Sequence, residues 1–225
     1  MSRDFLSVAE ADAPPCITVL AGTNGGGKSS IGGAMLRQAG GDYFNPDEAA
    51  RRFRDVEPSL TEREANSRAW HEGKRLLKRA VAERKSFSLE TTLGGRTMTD
   101  LLDQAADAGF EVKIWYVGLQ SPDQHIERVR ARVALGGHDI PEADIRRRYT
   151  RSLENLVSLL PKLTELRVFD NSDDGDPQVG RAPNPRLLLH VERGQVVGPD
   201  AEGLGQTPAW AKPLAAAALK TCGSA

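Results

Sequence analysis

The sequence predicts an α/β fold, a three-layer sandwich whose central sheet has five mostly parallel strands, with a helical arginine-rich lid and a C-terminal β-hairpin. Short apolar segments alternate with longer amphipathic ones, an order typical of right-handed crossovers and parallel strands. A glycine-rich loop follows the first apolar segment, in VLAGTNGGGKSS at residues 19–30. Together these observations predict one domain over residues 1–197, with the lid region at about 121–160, and a Gly/Pro/Ala-rich tail over 198–225 that contains a short helix.

The glycine-rich loop matches the phosphate-binding pattern G-x-x-x-x-G-K-[ST] at residues 22–29. Backbone N–H groups can surround a polyphosphate where no Cβ blocks the approach, and glycine also permits positive φ. In this interpretation Lys28 contacts the β and γ phosphates, and the Ser29 hydroxyl binds Mg²⁺. The predicted nucleotide-binding residues are Gly22, Thr23, Asn24, Gly25, Gly26, Gly27, Lys28, Ser29 and Ser30.

The segments on either side of the loop support this interpretation. The alternative is a flexible glycine-rich turn without a ligand. However, CITVLAG indicates a short buried strand before the loop, and SSIGGAMLRQAG indicates a helix after it. The fold is therefore predicted to be of the P-loop NTPase or kinase type.

A carboxylate follows the second predicted strand. That strand is expected near Tyr43 and Phe44 and is stopped by Asn45 and Pro46. Asp47 comes directly afterwards. Because ligands of open α/β sheets bind beyond the carboxyl ends of strands, Asp47 is either a functional carboxylate or the N-cap of a helix.

A second polar group follows the third predicted strand. A long helix comes first and is opened by a capping box of Ser59 with Glu62. The strand at 87–89 follows this helix, and three polar residues emerge at its end: Glu90, Thr91 and Thr92. Polar side chains are thus expected to leave the sheet beside the phosphate loop.

The remaining elements continue the alternation. A helix capped by Thr97 with Asp100 leads to a fourth strand in EVKIWYVGL. The segment LRVFDNS predicts the fifth strand, and RLLLHVERGQVV predicts the C-terminal hairpin after a turn-rich linker.

Two helices between the fourth and fifth strands concentrate arginine. Seven arginines lie between Arg128 and Arg151, on helices that begin near Pro122 and Pro141. A P-loop kinase carries a lid at this position, and arginine suits it because its fork donates two hydrogen bonds to phosphate oxygens. For each arginine, the alternative is an ordinary basic helix surface.

Composition excludes several other classes of protein. Lys and Arg number 30 against 31 Asp and Glu, so a net charge of -1 argues against a duplex nucleic acid or an anionic membrane as partner. Cys16 and Cys222 alone suggest neither a disulfide framework nor a cysteine metal site. Because there is no apolar run of about 18 residues and no apolar signal core, we expect a cytoplasmic protein without a membrane segment.

The polar residues favour phosphoryl transfer. This chemistry requires an acceptor in line with the γ-phosphate, cations on its equatorial oxygens, and a carboxylate that accepts the proton. Lys28, the arginine-bearing helices and Asp47 match these three requirements. The main hypothesis is therefore a small-molecule kinase that uses ATP (or GTP) and Mg²⁺ on a hydroxyl acceptor.

Two other classes remain open at this stage. A nucleotide-dependent regulator or ATPase would place an aspartate at a strand end for the metal, whereas the third predicted strand ends in Glu90. A polynucleotide 5′-hydroxyl kinase would need a basic or aromatic groove, and the aromatic content is only 5%.

Four segments, AGTNGGGKSS, FNPDEAA, FSLETTLGGR and ERVRARVALGGHDIP, occur in this order and together resemble the zeta toxin family of P-loop kinases. The resemblance extends over about residues 17–191. It implies a fold similar to adenylate-type kinases. It also implies that ATP or GTP phosphorylates the sugar 3′-hydroxyl of UDP-N-acetylglucosamine.

The resemblance also implies roles for individual residues. Lys28 and Ser29 take the phosphate and Mg²⁺ roles, and Asp47 matches the aspartate that deprotonates the sugar hydroxyl. Arg128 best matches an arginine that binds the γ-phosphate, with Arg132 a near competitor one turn later. The catalytic candidates are thus Lys28, Asp47, Arg128 and Arg132. The segment that holds the substrate is matched by Glu90, by Thr91 or Thr92, and by Arg96.

This chain departs from the family pattern in two respects. The family carries a second arginine just before the next helix, where this chain has GGHDIP with His138. Arg146, Arg147 or Arg148 can substitute for it, and Arg148 is counted among the substrate-binding candidates. Family toxins are silenced by a small helical antitoxin, and no segment of this chain resembles one. Either a separate protein acts as the antitoxin or no antitoxin is needed. A metabolic kinase that acts on another sugar or nucleotide remains the alternative function.

Overall fold

The computed structural model describes residues 6–7, 13–29, 43–173 and 184–224. The predicted helix after the phosphate loop, including Ser30, and residues 174–183 of the predicted linker lie outside the described residues. The strands are β1 (Leu6–Ser7), β2 (Cys16–Ala21), β3 (Ser86–Thr91), β4 (Glu111–Gly118), β5 (Glu165–Asp170), β6 (Arg186–Glu192), β7 (Gln195–Gly198) and β8 (Gly223–Ser224). The helices are α1 (Pro46–Val56), α2 (Glu62–Glu83), α3 (Arg96–Asp107), α4 (Pro122–Ala134), α5 (Glu142–Leu159), α6 (Ala201–Gly205) and α7 (Lys212–Thr221), with a 3₁₀ turn at Leu160–Lys162.

The strands form one mixed sheet in the order β1-β3-β2-β4-β5-β6-β7-β8. The four inner strands β3, β2, β4 and β5 are parallel, whereas β6 pairs antiparallel with β5, and β7 antiparallel with β6. The predicted hairpin therefore extends the central sheet. The α/β three-layer fold is confirmed, but the predicted count of five strands is wrong, because the described sheet has six strands of four or more residues and two of two residues.

The predicted second strand is reduced to one bridge residue. Phe44 pairs in parallel with Leu89, donating its N–H to the Ser88 carbonyl and accepting from the Glu90 N–H. Asn45 then turns the chain immediately, because its side-chain oxygen accepts from the first backbone N–H groups of α1. Helix capping thus ends the pairing after a single residue.

Two predicted helix caps are also misplaced. The capping box of α2 is formed by Thr61 with Glu64, two residues later than predicted. Helix α3 begins at Arg96 after Gly95, without a hydrogen bond from a capping side chain. The predicted pair Thr97 and Asp100 therefore lies within the first turns of that helix.

Both faces of the sheet are covered. On one face, alternate β2 residues such as Ile17 and Val19 belong to the main core. On the other face, Leu20 packs with Tyr43 and Trp115. None of the helices in the described ranges is long and apolar enough to span a membrane.

The C-terminal segment is built into the same core. Trp210 is buried beside Gly118, where an added Cβ would lie 2.4 Å from the indole, and Leu214 and Ala218 of α7 join the main core. The tail predicted after residue 198 thus contains two helices, of which α7 packs against α5.

Candidate active site

The phosphate loop, residues 22–29, follows β2 and lies at the carboxyl edge of the parallel strands. Gly22 has φ +133°, and an added Cβ there would lie 2.1 Å from the Val117 carbonyl oxygen of β4. Gly25 has φ +82°, and its added Cβ would lie 2.7 Å from the His125 carbonyl oxygen. Only glycine combines these φ values with such close approaches to backbone, so the loop conformation depends on both positions.

Side chains from two distant elements hold the loop. His125 of α4, which is 1% exposed, donates from Nδ1 to the Asn24 carbonyl oxygen over 2.8 Å. Asn171, directly after β5, donates from Nδ2 to the Gly26 carbonyl oxygen over 3.0 Å. Arg128 of α4 in turn donates to the Asn171 carbonyl oxygen over 2.6 Å. Helix α4 and the end of β5 therefore fix the loop from the side opposite β3.

Burial keeps His125 neutral. Desolvation lowers the pKa of His125 to about 4, and the positive charges of Lys28 and Arg128 lower this pKa further, against the hydrogen bond to Asn24. Because the neutral ring has one N–H and Asn24 offers a carbonyl, the proton lies on Nδ1.

Glu90 is the centre of a cluster beneath the loop. Its carboxylate, at the end of β3, accepts from the Ser29 hydroxyl over 2.8 Å and from Asn45 Nδ2 over 3.3 Å. Lys28 Nζ lies 3.6 Å from the other carboxylate oxygen and donates to the Thr23 carbonyl oxygen over 3.3 Å. Both Lys28 and Glu90 are buried, so the two charges are paired in a poorly solvated environment.

The oxygens of this cluster fit a magnesium ion. The Ser29 hydroxyl and the Glu90 carboxylate are the hard ligands that Mg²⁺ prefers, and such sites are completed by water and substrate phosphates. No group of three His, Cys, Asp or Glu side chains that could hold a metal occurs among the described residues.

Asp47 lies at the first turn of α1, beside this cluster. Its backbone N–H is capped by the Asn45 side chain, so the N-cap role that the sequence left open belongs to Asn45. The Asp47 side chain is 48% exposed, and its Oδ2 lies 3.9 Å from Arg132 Nη1. The carboxylate is therefore accessible to a ligand in the adjacent cleft.

The structure distinguishes the lid candidates by position. Arg148 donates to the Asn24 side-chain oxygen over 2.8 Å, and an added Cβ at Gly94 would meet its side chain at 2.7 Å. Desolvation lowers the pKa of the Arg148 guanidinium. By contrast, Arg146 pairs with Asp123 on the exposed surface. Of the consecutive arginines on α5, Arg148 therefore contacts the loop directly.

The other residues of the predicted lid lie around the opening of the site. Arg147 pairs with Asp144, and Arg132 donates to the His138 carbonyl oxygen over 2.8 Å. His138 contacts Glu62 and Asn66 of α2 through its two ring nitrogens. The connection between α4 and α5 is thereby fastened to α2.

Two clefts open beside the loop and share Asp47, Asn66 and His138. The first, of about 370 Å³, has an apolar wall of aromatic and aliphatic side chains and a polar side from the loop, the end of β3 and α5. Its lining includes Lys28, Phe44, Trp70, Glu90, Thr91, Thr92, Met98 and Arg148. The second, of about 590 Å³, lies along α1 and is lined by Ser29, Arg51, Arg54, Glu62 and Arg132, among others.

The structure therefore brings most of the predicted residues together. The residues that line the two clefts beside the loop include Lys28, Ser29, Asp47, Glu90, Thr91, Thr92 and Arg148. The hydroxyls of Thr91 and Thr92 accept hydrogen bonds from the N–H groups of Leu93 and Gly94. Arg128 contacts Asn171 behind the loop. Arg96 is exposed at the start of α3 and is not among the residues that line either cleft.

Several residues at the site were missed by sequence reasoning. His125 and Asn171 hold the loop, while Asn66 and Trp70 line the first cleft. The position of Asn171 directly after a predicted strand was an available signal for that residue. Asn66 and Trp70 lie within a long amphipathic helix, and no local pattern distinguishes them from its solvated face.

The chain matches the family model described as Zeta toxin over residues 4–175. A protein of Haemophilus influenzae whose function is uncharacterised is 30% identical over 128 residues, covering 57% of this chain and 88% of that protein.

Two solved complexes share the fold. The AvrRxo1-ORF1:-ORF2 complex with ATP has a TM-score of 0.66 at 16% identity, covering 88% of this chain. This chain spans 65% of that neighbour's length. The PezAT toxin-antitoxin system of Streptococcus pneumoniae has a TM-score of 0.51 at 11% identity, covering 72% of this chain and 70% of the neighbour.

Proposed function

The chain belongs to the zeta toxin family and is a P-loop phosphotransferase, and on this premise we propose that it transfers the γ-phosphate of ATP (or GTP) to a sugar hydroxyl. The acceptor that we propose, as the resemblance to the family implies, is the 3′-hydroxyl of UDP-N-acetylglucosamine. The observation that carries the proposal is the meeting of the phosphate loop, the Lys28–Glu90 pair and the accessible Asp47 carboxylate at one edge of the sheet.

The phosphate loop provides the nucleotide end of the site. Its backbone is held open by contacts to His125 and Asn171, so the cost of ordering the loop is met before a nucleotide binds. Lys28 would exchange its pairing with Glu90 for the β and γ phosphates. Magnesium, when bound near Ser29 and Glu90, supplies positive charge to the same phosphates.

The first cleft provides the acceptor end. Its size is in the range of small-molecule sites, and it combines apolar walls with a few convergent polar groups. Thr91 and Thr92 line it at the end of β3, beside Glu90. An acceptor in this cleft has Asp47 on one side and the loop on the other.

Asp47 would act as the general base. The acceptor O–H proton passes to the Asp47 carboxylate as the acceptor oxygen bonds to the γ-phosphorus, and the bond from that phosphorus to the bridging oxygen of ADP breaks. Arg132 Nη1 lies 3.9 Å from the Asp47 carboxylate, so a positive charge is close to the proposed base.

Arg148 would complete the lid. In the structure the Arg148 guanidinium is hydrogen-bonded to Asn24 of the loop, and Arg148 lines the first cleft. The guanidinium would therefore be close enough to contact a γ-phosphate bound to the loop. A bidentate arginine contact stabilises charge on the transferred phosphoryl group. Arg128 would support the loop through Asn171.

The proposal extends to partners and location. A structural neighbour, PezAT, is a toxin-antitoxin system, and we propose a separate antitoxin protein as a partner of this chain and the cytoplasm as its location.

The test is phosphorylation of UDP-N-acetylglucosamine by the purified protein with ATP and Mg²⁺, measured by mass spectrometry. We expect a product heavier by one phosphate, which Lys28→Ala and Asp47→Asn do not form at a comparable rate. ATP binding to the wild type without any phosphorylated sugar nucleotide would contradict this acceptor.

A further inference from the structure

We propose that Arg51 and Arg54 of α1 form an anion subsite that binds a phosphate group of the acceptor in the second cleft. The inference rests on the proposed function, because it places the reacting hydroxyl of the same acceptor at Asp47. It identifies two specificity-determining residues that lie outside the phosphate loop and the lid.

The positions of these arginines follow from the helix. Asp47, Arg51 and Arg54 are separated by four and three residues, so they lie along one face of α1, and all three line the second cleft. At the rise of an α-helix, Arg51 and Arg54 are about 6 and about 10 Å from Asp47 along the axis. The helix begins beside the Glu90 cluster, so Arg51 and Arg54 lie farther along its axis from that cluster than Asp47 does.

Among the described residues that line the cleft, the charged side chains other than these two have an oppositely charged neighbour. Glu48 pairs with Arg52, Glu62 contacts His138, and Asp47 lies beside Arg132. Within the described part of the chain, neither Arg51 nor Arg54 has a carboxylate within the 4.0 Å of an ion pair. As far as the described residues extend, the second cleft therefore presents two guanidinium groups that form no ion pair.

This arrangement selects the chemistry of the ligand. Two neighbouring guanidinium forks match the oxygens of a phosphate or diphosphate, and they gain little from a neutral sugar. The cleft of about 590 Å³ has room for such a group, and it meets the first cleft at Asp47. An acceptor with its phosphate one or two helical turns from its reacting hydroxyl fits both clefts together.

Arg52 provides a matched control. It is adjacent to Arg51 on the same helix and carries the same charge, but it pairs with Glu48 and does not line the second cleft. A general loss of positive charge on α1 is therefore separable from loss of the subsite.

The experiment measures binding of uridine diphosphate and of uridine by calorimetry, with the phosphate loop saturated by a non-hydrolysable ATP analogue and Mg²⁺. We expect the wild type to bind uridine diphosphate more tightly than uridine, with an affinity that falls as salt is added. The double variant Arg51→Gln/Arg54→Gln should lose on the order of 10- to 100-fold in affinity for uridine diphosphate. Its affinity for uridine and for the ATP analogue, and its melting temperature, should not change.

The outcomes separate this inference from the proposed function. The anion subsite would be overturned if the wild type and the double variant bound uridine diphosphate with equal affinity. It would also be overturned if Arg52→Gln lost as much affinity for uridine diphosphate as the double variant does. Either result would count against the subsite even if sugar phosphorylation were observed. Conversely, binding of uridine diphosphate that depends on Arg51 and Arg54, in a protein that phosphorylates no sugar nucleotide, would support the subsite and contradict the proposed kinase reaction. Where turnover is observed, the double variant should raise KM for the acceptor and leave kcat nearly unchanged.

Discussion

The nucleotide side and the acceptor side of the site are built by different means. On the nucleotide side, the loop is partly buried, shaped by glycines and fixed by His125 and Asn171. On the acceptor side, the walls are side chains of α1 and α2, such as Asp47 and Trp70, and many of them are partly exposed. In the proposed function, backbone geometry recognises the phosphates common to all nucleotides, and side chains that are partly exposed recognise the acceptor.

The largest expected effect follows from breaking the loop. Gly22→Ala places a Cβ 2.1 Å from a backbone carbonyl in a residue with positive φ, and neither atom can move without disturbing β2 or β4. We expect a loss of about 3 kcal/mol or more in the free energy of unfolding, with loss of ATP binding. Chemical denaturation and calorimetry measure the two effects. Gly205→Ala is the control, because its Cβ meets no atom within 4 Å, and similar losses in both variants would contradict this account.

Asp47→Asn tests the acceptor side while leaving the loop intact. If Asp47 is the base, kcat should fall by roughly 10³-fold, because the amide cannot accept the proton. ATP affinity should be unchanged, because the side chain lies outside the loop and contacts Arg132 alone among the described ion pairs. Steady-state kinetics should be compared with Asp55→Asn, an exposed carboxylate on the last turn of the same helix. An Asp47→Asn enzyme with normal kcat would assign the base elsewhere.

Arg148→Met tests the hydrogen bond by which Arg148, in the wall of the first cleft, contacts Asn24 of the phosphate loop. Loss of one preorganised donor to the transferred phosphoryl group should lower kcat on the order of 10²-fold. Arg146→Met, which removes a surface pair with Asp123, should lower it far less. Single-turnover rates of both variants measure the difference. Equal rates would show that the contact of Arg148 with Asn24 has no part in transfer.

The smallest expected effect concerns the pH dependence of the loop support. His125 has a pKa of about 4 in the folded protein, below its ordinary value, so the unfolded state binds more protons between about pH 6.5 and 4. Its contribution to stability is therefore complete above about pH 6.5 and is lost as pH falls toward 4. Between pH 6.5 and 5 the free energy of unfolding should fall by about 1 to 2 kcal/mol more in the wild type than in His125→Gln. Parallel pH-dependent curves would contradict this role of His125.

The sequence predicted the nucleotide side more completely than the acceptor side. The glycine spacing, Lys28 and Ser29 were recognisable because a phosphate loop is a contiguous segment with a fixed pattern. Asp47 and Glu90 were predicted as site residues because they follow predicted strands, and the structure places both beside the loop. The sequence did not predict four cleft residues that lie on helices: Arg51, Arg54, Asn66 and Trp70. The pattern of an amphipathic helix indicates only which of its faces is buried.

The errors in the predicted fold also arise where a local sequence pattern does not determine the structure. The pairing at Phe44 was predicted as a strand because Tyr43 and Phe44 are apolar, but the cap formed by Asn45 begins a helix one residue later. The hairpin was correctly expected, but its attachment to β5 depends on which strand edge is open in the assembled sheet. Boundaries and edge pairings are set by competition between neighbours, which a local pattern does not contain.

The sequence by itself determined the phosphate loop and the alternation of strands and helices, because both depend on local spacing of glycine and of apolar residues. Only the tertiary structure decided which lid arginine contacts the loop. Helices α4 and α5 are joined through a small apolar cluster of Ile126, Val129, Ile140 and Ile145. Arg146 and Arg148 are two residues apart on α5 and therefore lie on different faces of that helix. The way in which the two helices pack directs Arg148 toward Asn24 and Arg146 toward Asp123.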